Sequence, residues 1–502
     1  MIKKIINQVD LNSLKKKLKG KKIGLAHGVF DIFHFGHLLH LQKAKSYCDA
    51  LVVSVTSDKF INKGPGRPLY NIKQRLNMLA SIEFVDFVVL SNEKTSKNII
   101  KQLKPNFYFK GNEYQIENKD FTGGIKLEKE EVEKFGGKIV YTNEKTLSST
   151  NLINRFSNEL NDQTKKYLLK LKKKFSFESI KRLIDKSSNM KTLVIGEIIK
   201  DEYIFCLPLG KSPKEQLISM QENKKEIYAG GIAASVNHLS NFLDNCSLLS
   251  VIPDNKNNQF VNKYIYKNIN KILFKEKDYD FITKSRYLDE HNNKIFQISN
   301  KKKNDIKKNT ETKILNYLKK NLGKFDHVIV HDFGHGLITK KIIDIVEKKS
   351  KYLSINVQTN SSNIGFNYLT KFKKTDYFSI DEPEARLTLS EEYLDTKNLF
   401  YKLKKRIKFK SGSITFGKNG AFTICKNKIV FSSALTSNPI DTLGAGDAFF
   451  VISSIISRVS NDPEKISFLG NIAGAFAVNY LGHKKYLNKE IFINYVKTYL
   501  NI

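Results

Sequence analysis

Two kinds of hydrophobic pattern alternate along the 502 residues of this chain. Short, mostly apolar runs occupy 23–26, 50–56, 84–90, 106–110 and 138–141. Between them lie segments such as 38–47 and 72–81, where apolar positions recur every three or four residues. Buried strands interleaved with amphipathic helices predict a parallel sheet covered by helices. The pattern breaks at 157–190, where Lys165, Lys166, Lys170, Lys172, Lys173 and Lys174 surround Leu168, Leu169 and Leu171. This stretch reads as a solvated helical linker followed by a helix near 177–185 that belongs to the next domain. A second alternating series then runs to the end, with strands expected at 192–196, 328–330, 353–357, 377–380 and 414–416. Mixed strand-like segments at 203–228 predict a small β lid over this α/β body. The expected division is 1–156, a Lys-rich linker at 157–189, and 190–502.

The length fits two or three domains. The formal charge of +35 is unusual, but only eight of the 85 basic residues are arginine, and the lysines are spread along the whole chain. A nucleic-acid binder clusters its charge and uses arginine forks, so no nucleic-acid partner is expected, only attraction of anionic substrates. Cys48, Cys206, Cys246 and Cys425 are too far apart in sequence for a zinc clip or redox pair. The basic N-terminus lacks the apolar core of a signal peptide, and no run approaches the length of a membrane span. A cytoplasmic protein without membrane insertion is expected.

Candidate chemistry concentrates in two places. Residues 28–37 read Gly-Val-Phe-Asp-Ile-Phe-His-Phe-Gly-His, between a strand-like and a helix-like run. The spacing of His34 and His37 puts two imidazoles on one face of a helix start, beside unpaired N–H donors, which suits a polyphosphate. Residues 441–447 read Asp-Thr-Leu-Gly-Ala-Gly-Asp before a long apolar run. Such a glycine turn opening a helix makes an anion hole from Gly444, Ala445 and Gly446, and Asp447 can accept the proton of an attacking hydroxyl.

The first half resembles the HxGH nucleotidyltransferases, and within them the adenylyltransferase domain of bifunctional heptose kinase/adenylyltransferases. The resemblance rests on Gly28 to His37, on Gly66-Arg67-Pro68 with Gln74-Arg75, on Lys110-Gly111-Asn112-Glu113-Tyr114 and on 148–153. It implies a Rossmann-like fold, catalytic His34 and His37, and nucleotide or phosphate contacts from Gly28, Val29, Phe30, Lys63, Arg75, Lys110, Ser149 and Thr150. It also implies Mg²⁺ and a nucleotidyl donor that is ATP or CTP.

The second half, about 190–500, resembles the ribokinase-like (PfkB) sugar kinases. It carries Gly196 with Asp201, the Gly230-Gly231 pair, Thr415 and Gly417, the 441–447 turn and the small-residue segment 471–478. The resemblance implies Asp447 as base, ATP as phosphoryl donor, Asp201, Gly230, Gly231 and Ser235 against the sugar, and Mg²⁺ near Asp381 and Glu384. Three positions depart from that family's habit: Ser235 and Asp381 stand where asparagine is common, and His335 where heptose kinases carry lysine. The expectation is therefore a bifunctional sugar kinase and sugar-phosphate nucleotidyltransferase, with domain order reversed relative to the heptose enzymes, forming homo-oligomers and feeding lipopolysaccharide or another polysaccharide. The second reading keeps an active transferase and makes the kinase-like half a non-catalytic sugar-binding module.

Overall fold

The computed structural model describes residues 4–61, 68–93, 95–111, 124–142, 160–254, 259–300, 304–436 and 439–501. It divides into two compact units, Met1–Asn158 and Glu159–Ile502.

The first unit is a parallel sheet of β1 (Ile5–Ile6), β2 (Ile23–Gly28), β3 (Ala50–Thr56), β4 (Phe87–Ser91), β5 (Phe107–Gly111) and β6 (Lys138–Thr142), in the order β1-β4-β3-β2-β5-β6. Helices α1 (Leu11–Lys17), α2 (Phe35–Lys45), α3 (Ile72–Ala80), α4 (Lys97–Leu103) and α5 (Gly124–Lys134) lie between the strands in sequence. Successive strand residues face opposite sides, so both faces carry an apolar layer. Leu25, Val52 and Tyr108 pack with Leu11, Leu14, Ile99 and Leu103, while Ala26, Val53 and Phe109 pack with Leu41, Ala44 and Leu79. The strand order reverses at β2, whose neighbours are β3 and β5. In open parallel sheets that switch point, at the carboxyl ends of the strands, is where ligands bind.

The second unit has a body sheet ordered β11-β10-β7-β14-β15-β16-β17-β18-β19. Its members are β7 (Lys191–Gly196), β10 (Asn245–Pro253), β11 (Asn270–Glu276), β14 (His327–Asp332), β15 (Leu353–Val357), β16 (Lys374–Asp381), β17 (Lys408–Thr415), β18 (Ala421–Cys425) and β19 (Lys428–Ser432). Pairing is parallel as far as β17 and antiparallel beyond. A separate four-stranded lid contains β8 (Ile198–Lys211), β9 (Ile218–Gly231), β12 (Ile282–Leu288) and β13 (Lys294–Ser299), ordered β13-β12-β8-β9.

The stretch expected as a solvated helical linker followed by a helix of the next domain is two capped helices, Asp162–Lys174 and Phe177–Ser188, both of the second unit. Leu168, Leu171, Ile180 and Ile184 are fully buried in the core of the second unit. The lysines occupy the outer face, and Thr164, Leu168 and Leu171, at four- and three-residue spacing, form the inner face of the first helix. The boundary therefore lies near 159 rather than 190.

Candidate active sites of the two units

In the first unit, β2 ends at Gly28 and α2 begins at Phe35, with His34 as its N-cap. No side chain caps this helix; the His34 carbonyl instead accepts from the N–H groups of His37 and Leu38. The His34 and His37 rings stack with centroids 3.9 Å apart, and Phe30 and Phe33 flank His37 at 5.3 and 5.6 Å. Two converging imidazoles thus stand at a helix N-terminus on the switch point of the sheet. Phe30 adopts φ 49°, a left-handed conformation rare for a bulky residue. The loop that holds it so is tied down from below: Asp31, 1% exposed, accepts from the Leu69 and Tyr70 N–H groups at 2.7 and 3.2 Å.

Arg75 and Lys110 do different work from the phosphate contacts expected of them. Arg75 is fully buried and donates to the carbonyls of Val29, Tyr70 and Thr56 and to Asp58. It ties the 29–34 loop to the start of α3, and its charge is already matched. Lys110 is buried in an ion pair with Glu128 at 3.0 Å. Burial alone would raise the Glu128 carboxyl, but Lys110 and His27 outweigh it and hold it at about 2. Gly28 is the last residue of β2, and the Val29 carbonyl is the one that accepts from Arg75. Lys63, Ser149 and Thr150 lie outside the described residues.

In the second unit, two cavities meet at the 442–446 turn, which contributes walls to both. The helix Ala445–Val459 starts at Gly444, again with no side-chain cap. Gly444 has φ 79°, and a Cβ there would lie 2.4 Å from the His483 ring, so the position requires glycine. The open first turn directs its donors at the junction. Asp447, one turn in, lines the first cavity, of about 310 Å³. Burial would raise its carboxyl, but His331, His483 and Gln358 hold it at about 2.

Asp201 and Gly231 line that cavity from β8 and β9. Gly230 has no room for a side chain, since a Cβ would meet the Asp201 carboxylate at 2.2 Å. Ser235 is a correction: it is fully buried beneath the cavity, hydrogen-bonded to His331 rather than facing a sugar. Thr415, Gly417 and Ala445 line the second cavity, of about 590 Å³, whose far wall is apolar with Leu435, Phe449 and Val478.

Asp381 and Glu384 form a reciprocal cap on the helix Glu382–Leu389. Asp381 Oδ1 accepts from the Glu384 N–H, while Glu384 accepts from the Asp381 and Thr359 N–H groups. Burial raises both carboxyls; the charge of Glu382 adds to the rise at Asp381, and that of Asp381 adds to the rise at Glu384, which reaches about 8. Both oxygens of Glu384 are spent on backbone donors, whereas Asp381 Oδ2 remains for a cation at the cavity wall. The donor set fits Mg²⁺, which takes one or two carboxylates and fills its shell with water and phosphate oxygens. Among the described residues no group of three or more metal-ligating side chains gathers.

Sequence reasoning missed the lid cations. Lys284 and Arg286 of β12, Lys294 of β13 and His483 all line the first cavity. Arg286 pairs with Asp201 at 2.6 Å and Lys294 with Asp441 at 2.5 Å. Lys284 has no acid within ion-pair distance among the described residues, and burial lowers its pKa. The alternation of Ile282, Lys284, Arg286 and Leu288 on one face of the strand was the available signal.

The sequence profile of the pfkB family carbohydrate kinases matches residues 190–489. The chain belongs to that family. Its pfkB unit is preceded by a match to the cytidylyltransferase-like family over residues 25–155. Curated relatives align with the cytidylyltransferase-like region. They include the bifunctional protein HldE of Campylobacter fetus, 39% identical over 158 residues, and that of Geobacter metallireducens, 38% over 143. These alignments cover 30% and 28% of this chain and only 31% and 28% of the relatives' length. Among solved structures, ribokinase of Thermotoga maritima superposes at TM-score 0.47 and 15% identity, covering 62% of this chain and all of that one. Arabidopsis thaliana ribokinase complexed with ribose and ATP gives 0.47 and 12%, covering 62% and 99%. No helix among the described residues is long and apolar enough to cross a membrane.

Proposed function

We propose that this chain is a bifunctional enzyme of nucleotide-sugar synthesis. The pfkB unit phosphorylates a sugar phosphate with ATP, at the anomeric hydroxyl. The cytidylyltransferase-like unit transfers AMP or CMP from a triphosphate to a sugar 1-phosphate, releasing pyrophosphate. The observation that carries this reading is that each unit presents an uncapped helix N-terminus with its reactive side chains at the same spot: His34 and His37 in one, Asp447 in the other.

In the first unit, the imidazole N–H groups and the start of α2 stabilise charge on the phosphoryl oxygens as a sugar-phosphate oxygen attacks the α-phosphorus. The nucleophile is already anionic, so alignment and charge stabilisation suffice. In the second unit, the adenine side of ATP fits the apolar second cavity and the γ-phosphoryl group lies over the 444–446 turn. The sugar occupies the first cavity, with its hydroxyl against Asp447. Mg²⁺, held by Asp381, would neutralise charge on the phosphates.

The lid cations favour a phosphorylated sugar over a neutral one. A partly desolvated ammonium without an anion is costly, and Lys284 is such a group until an anionic substituent arrives. The absence of asparagine at 235 removes no wall from this cavity, which supports an active kinase over a purely binding module.

The test has two assays on the full chain. Pyrophosphate release is followed with ATP and with CTP against heptose 1-phosphate, hexose 1-phosphates and glycerol 3-phosphate. ADP formation is followed with neutral sugars, hexose 6-phosphates and heptose 7-phosphates. Turnover in both, with phosphorylated sugars preferred in the second, is the expected result. A kinase that prefers neutral sugars refutes the role of the lid cations, and no ADP on any sugar refutes the kinase.

A further inference from the structure

Asp441, the first residue of the 441–447 turn, is 6% exposed. Each of its carboxylate oxygens takes a pair of donors. Oδ1 accepts from the Leu443 N–H at 3.0 Å and from Lys294 Nζ at 2.5 Å. Oδ2 accepts from the Gly482 N–H at 2.9 Å and from the Tyr203 hydroxyl at 3.3 Å. One donor of each pair belongs to the body of the unit and the other to the lid, since Tyr203 lies on β8 and Lys294 opens β13. The carboxylate therefore joins the lid to the turn over which the γ-phosphoryl group is placed.

The packing around this carboxylate is close. A Cβ on Gly482 would lie 2.6 Å from the Tyr203 hydroxyl, and one on Gly444 would lie 2.4 Å from the His483 ring. Residues 482–483 are thus wedged between the lid and the turn. Arg286 and Lys294 stand over the Tyr203 ring at 5.6 and 5.9 Å, which favours its present place. Tyr203 shares a face of β8 with Asp201, two residues earlier, which lines the first cavity. The strand that walls the sugar cavity therefore also reaches Asp441. β13 is exposed along its whole length, yet Lys294 leans inward to the same carboxylate.

We propose that Asp441 is a positioning residue for phosphoryl transfer, which keeps the 444–446 donors aimed at the γ-phosphoryl group only while Lys294 and Tyr203 of the lid hold it. The proposal rests on the kinase reading above. A carboxylate this deeply buried is stable when paired and costly when stripped of its cation. Burial acts to raise the Asp441 carboxyl, but Lys294 and the Leu443 and Gly482 N–H groups outweigh it and hold it below the usual carboxylate range. With the lid contacts gone, Asp441 keeps only its two backbone donors. The carboxylate then turns toward water, the tie to Leu443 loosens and the turn loses its aim. A misplacement of about 1 Å at a reacting centre costs on the order of 10²-fold in rate. Neither Asp441 nor Lys294 exchanges a proton or a bond with the substrates; the hydroxyl proton goes to Asp447.

The test measures kcat and KM for ADP formation by the full chain, with the phosphorylated sugar of highest turnover. Lys294→Ala is expected to lower kcat roughly 10- to 100-fold with KM for ATP and for the sugar within about threefold. Lys294→Arg restores the cation and is expected to keep kcat within about fivefold of wild type. Tyr203→Phe removes only a hydroxyl and lowers kcat in the same direction by less, which serves if the first variant misfolds. Asp441→Asn should lower kcat at least as far as Lys294→Ala, and combining the two should cost less than about threefold more, because both break one contact. Losses that multiply in the double variant would overturn the proposal. So would a Lys294→Ala enzyme whose kcat holds while its KM for the sugar rises, which makes Lys294 a substrate contact. Failure of the underlying reading looks different: wild-type protein without turnover, or Asp447→Asn with full turnover, removes the kinase and the positioning role together.

Discussion

His34 and His37 have ring centroids 3.9 Å apart at an uncapped helix start, and under the proposed transfer reaction removing either takes away a donor to the phosphoryl oxygens. His34→Ala and His37→Ala are each expected to slow pyrophosphate release by roughly 10²–10³, while ADP formation is unchanged. Arg75→Ala should behave differently. It leaves three carbonyls without their donor and a hole in the core, costing about 2–4 kcal/mol of stability in a denaturant titration. Glu197 supplies a pH signature. It is fully buried and accepts from the N–H groups of Phe333, His335 and Leu337. Burial and the neighbouring Asp332 push its carboxyl up to about 7, above the ordinary value near 4.3. Between these values the folded state binds more protons than the unfolded one, so this group's contribution falls as pH rises from about 4.5 to 7. Thermal melts of Glu197→Gln should show a flatter pH dependence across that window than wild type, and an unchanged slope would refute the assignment. At this scale the placing of the two motifs at helix starts was legible because several residue types recur at fixed spacing. Arg75 and Lys110 were not, because a charged side chain reads the same in sequence whether it meets a phosphate or a buried carboxylate.

Among the elements, the long apolar runs were the most readable. The strand at 50–56 stands where the pattern put it because burial on both faces leaves an unmistakable run, and the helix near 72–81 because its buried positions recur along one face. The helix at 162–174 was read as a solvated linker because lysine dominates its composition while only the spacing of Leu168 and Leu171 carries the packing signal; the helix near 177–185 stands in the second unit, where it was expected. Leu171→Ala is accordingly expected to destabilise the second unit by about 2–5 kcal/mol. A fragment beginning at residue 190 should fail to give a cooperative melt where one beginning at 160 succeeds. The lid strands β12 and β13 were missed because their inward face is cationic. Lys284, Arg286 and Lys294 serve a cavity, not a core, and so break the apolar alternation that marks a strand.

At the scale of the whole molecule, each unit carries its own core, and each proposed site is assembled from residues of a single unit. The two chemistries should therefore separate cleanly by mutation. The spread of lysine along the chain is consistent with attraction of anionic substrates to both sites. The most direct measurement is a paired assay of ADP formation and pyrophosphate release on full-length wild type, His34→Ala and Asp447→Asn. The account predicts that wild type performs both reactions, that Asp447→Asn loses ADP formation alone, and that His34→Ala loses pyrophosphate release alone. Loss of both activities in either variant, or a wild-type chain that performs only one reaction, would contradict it.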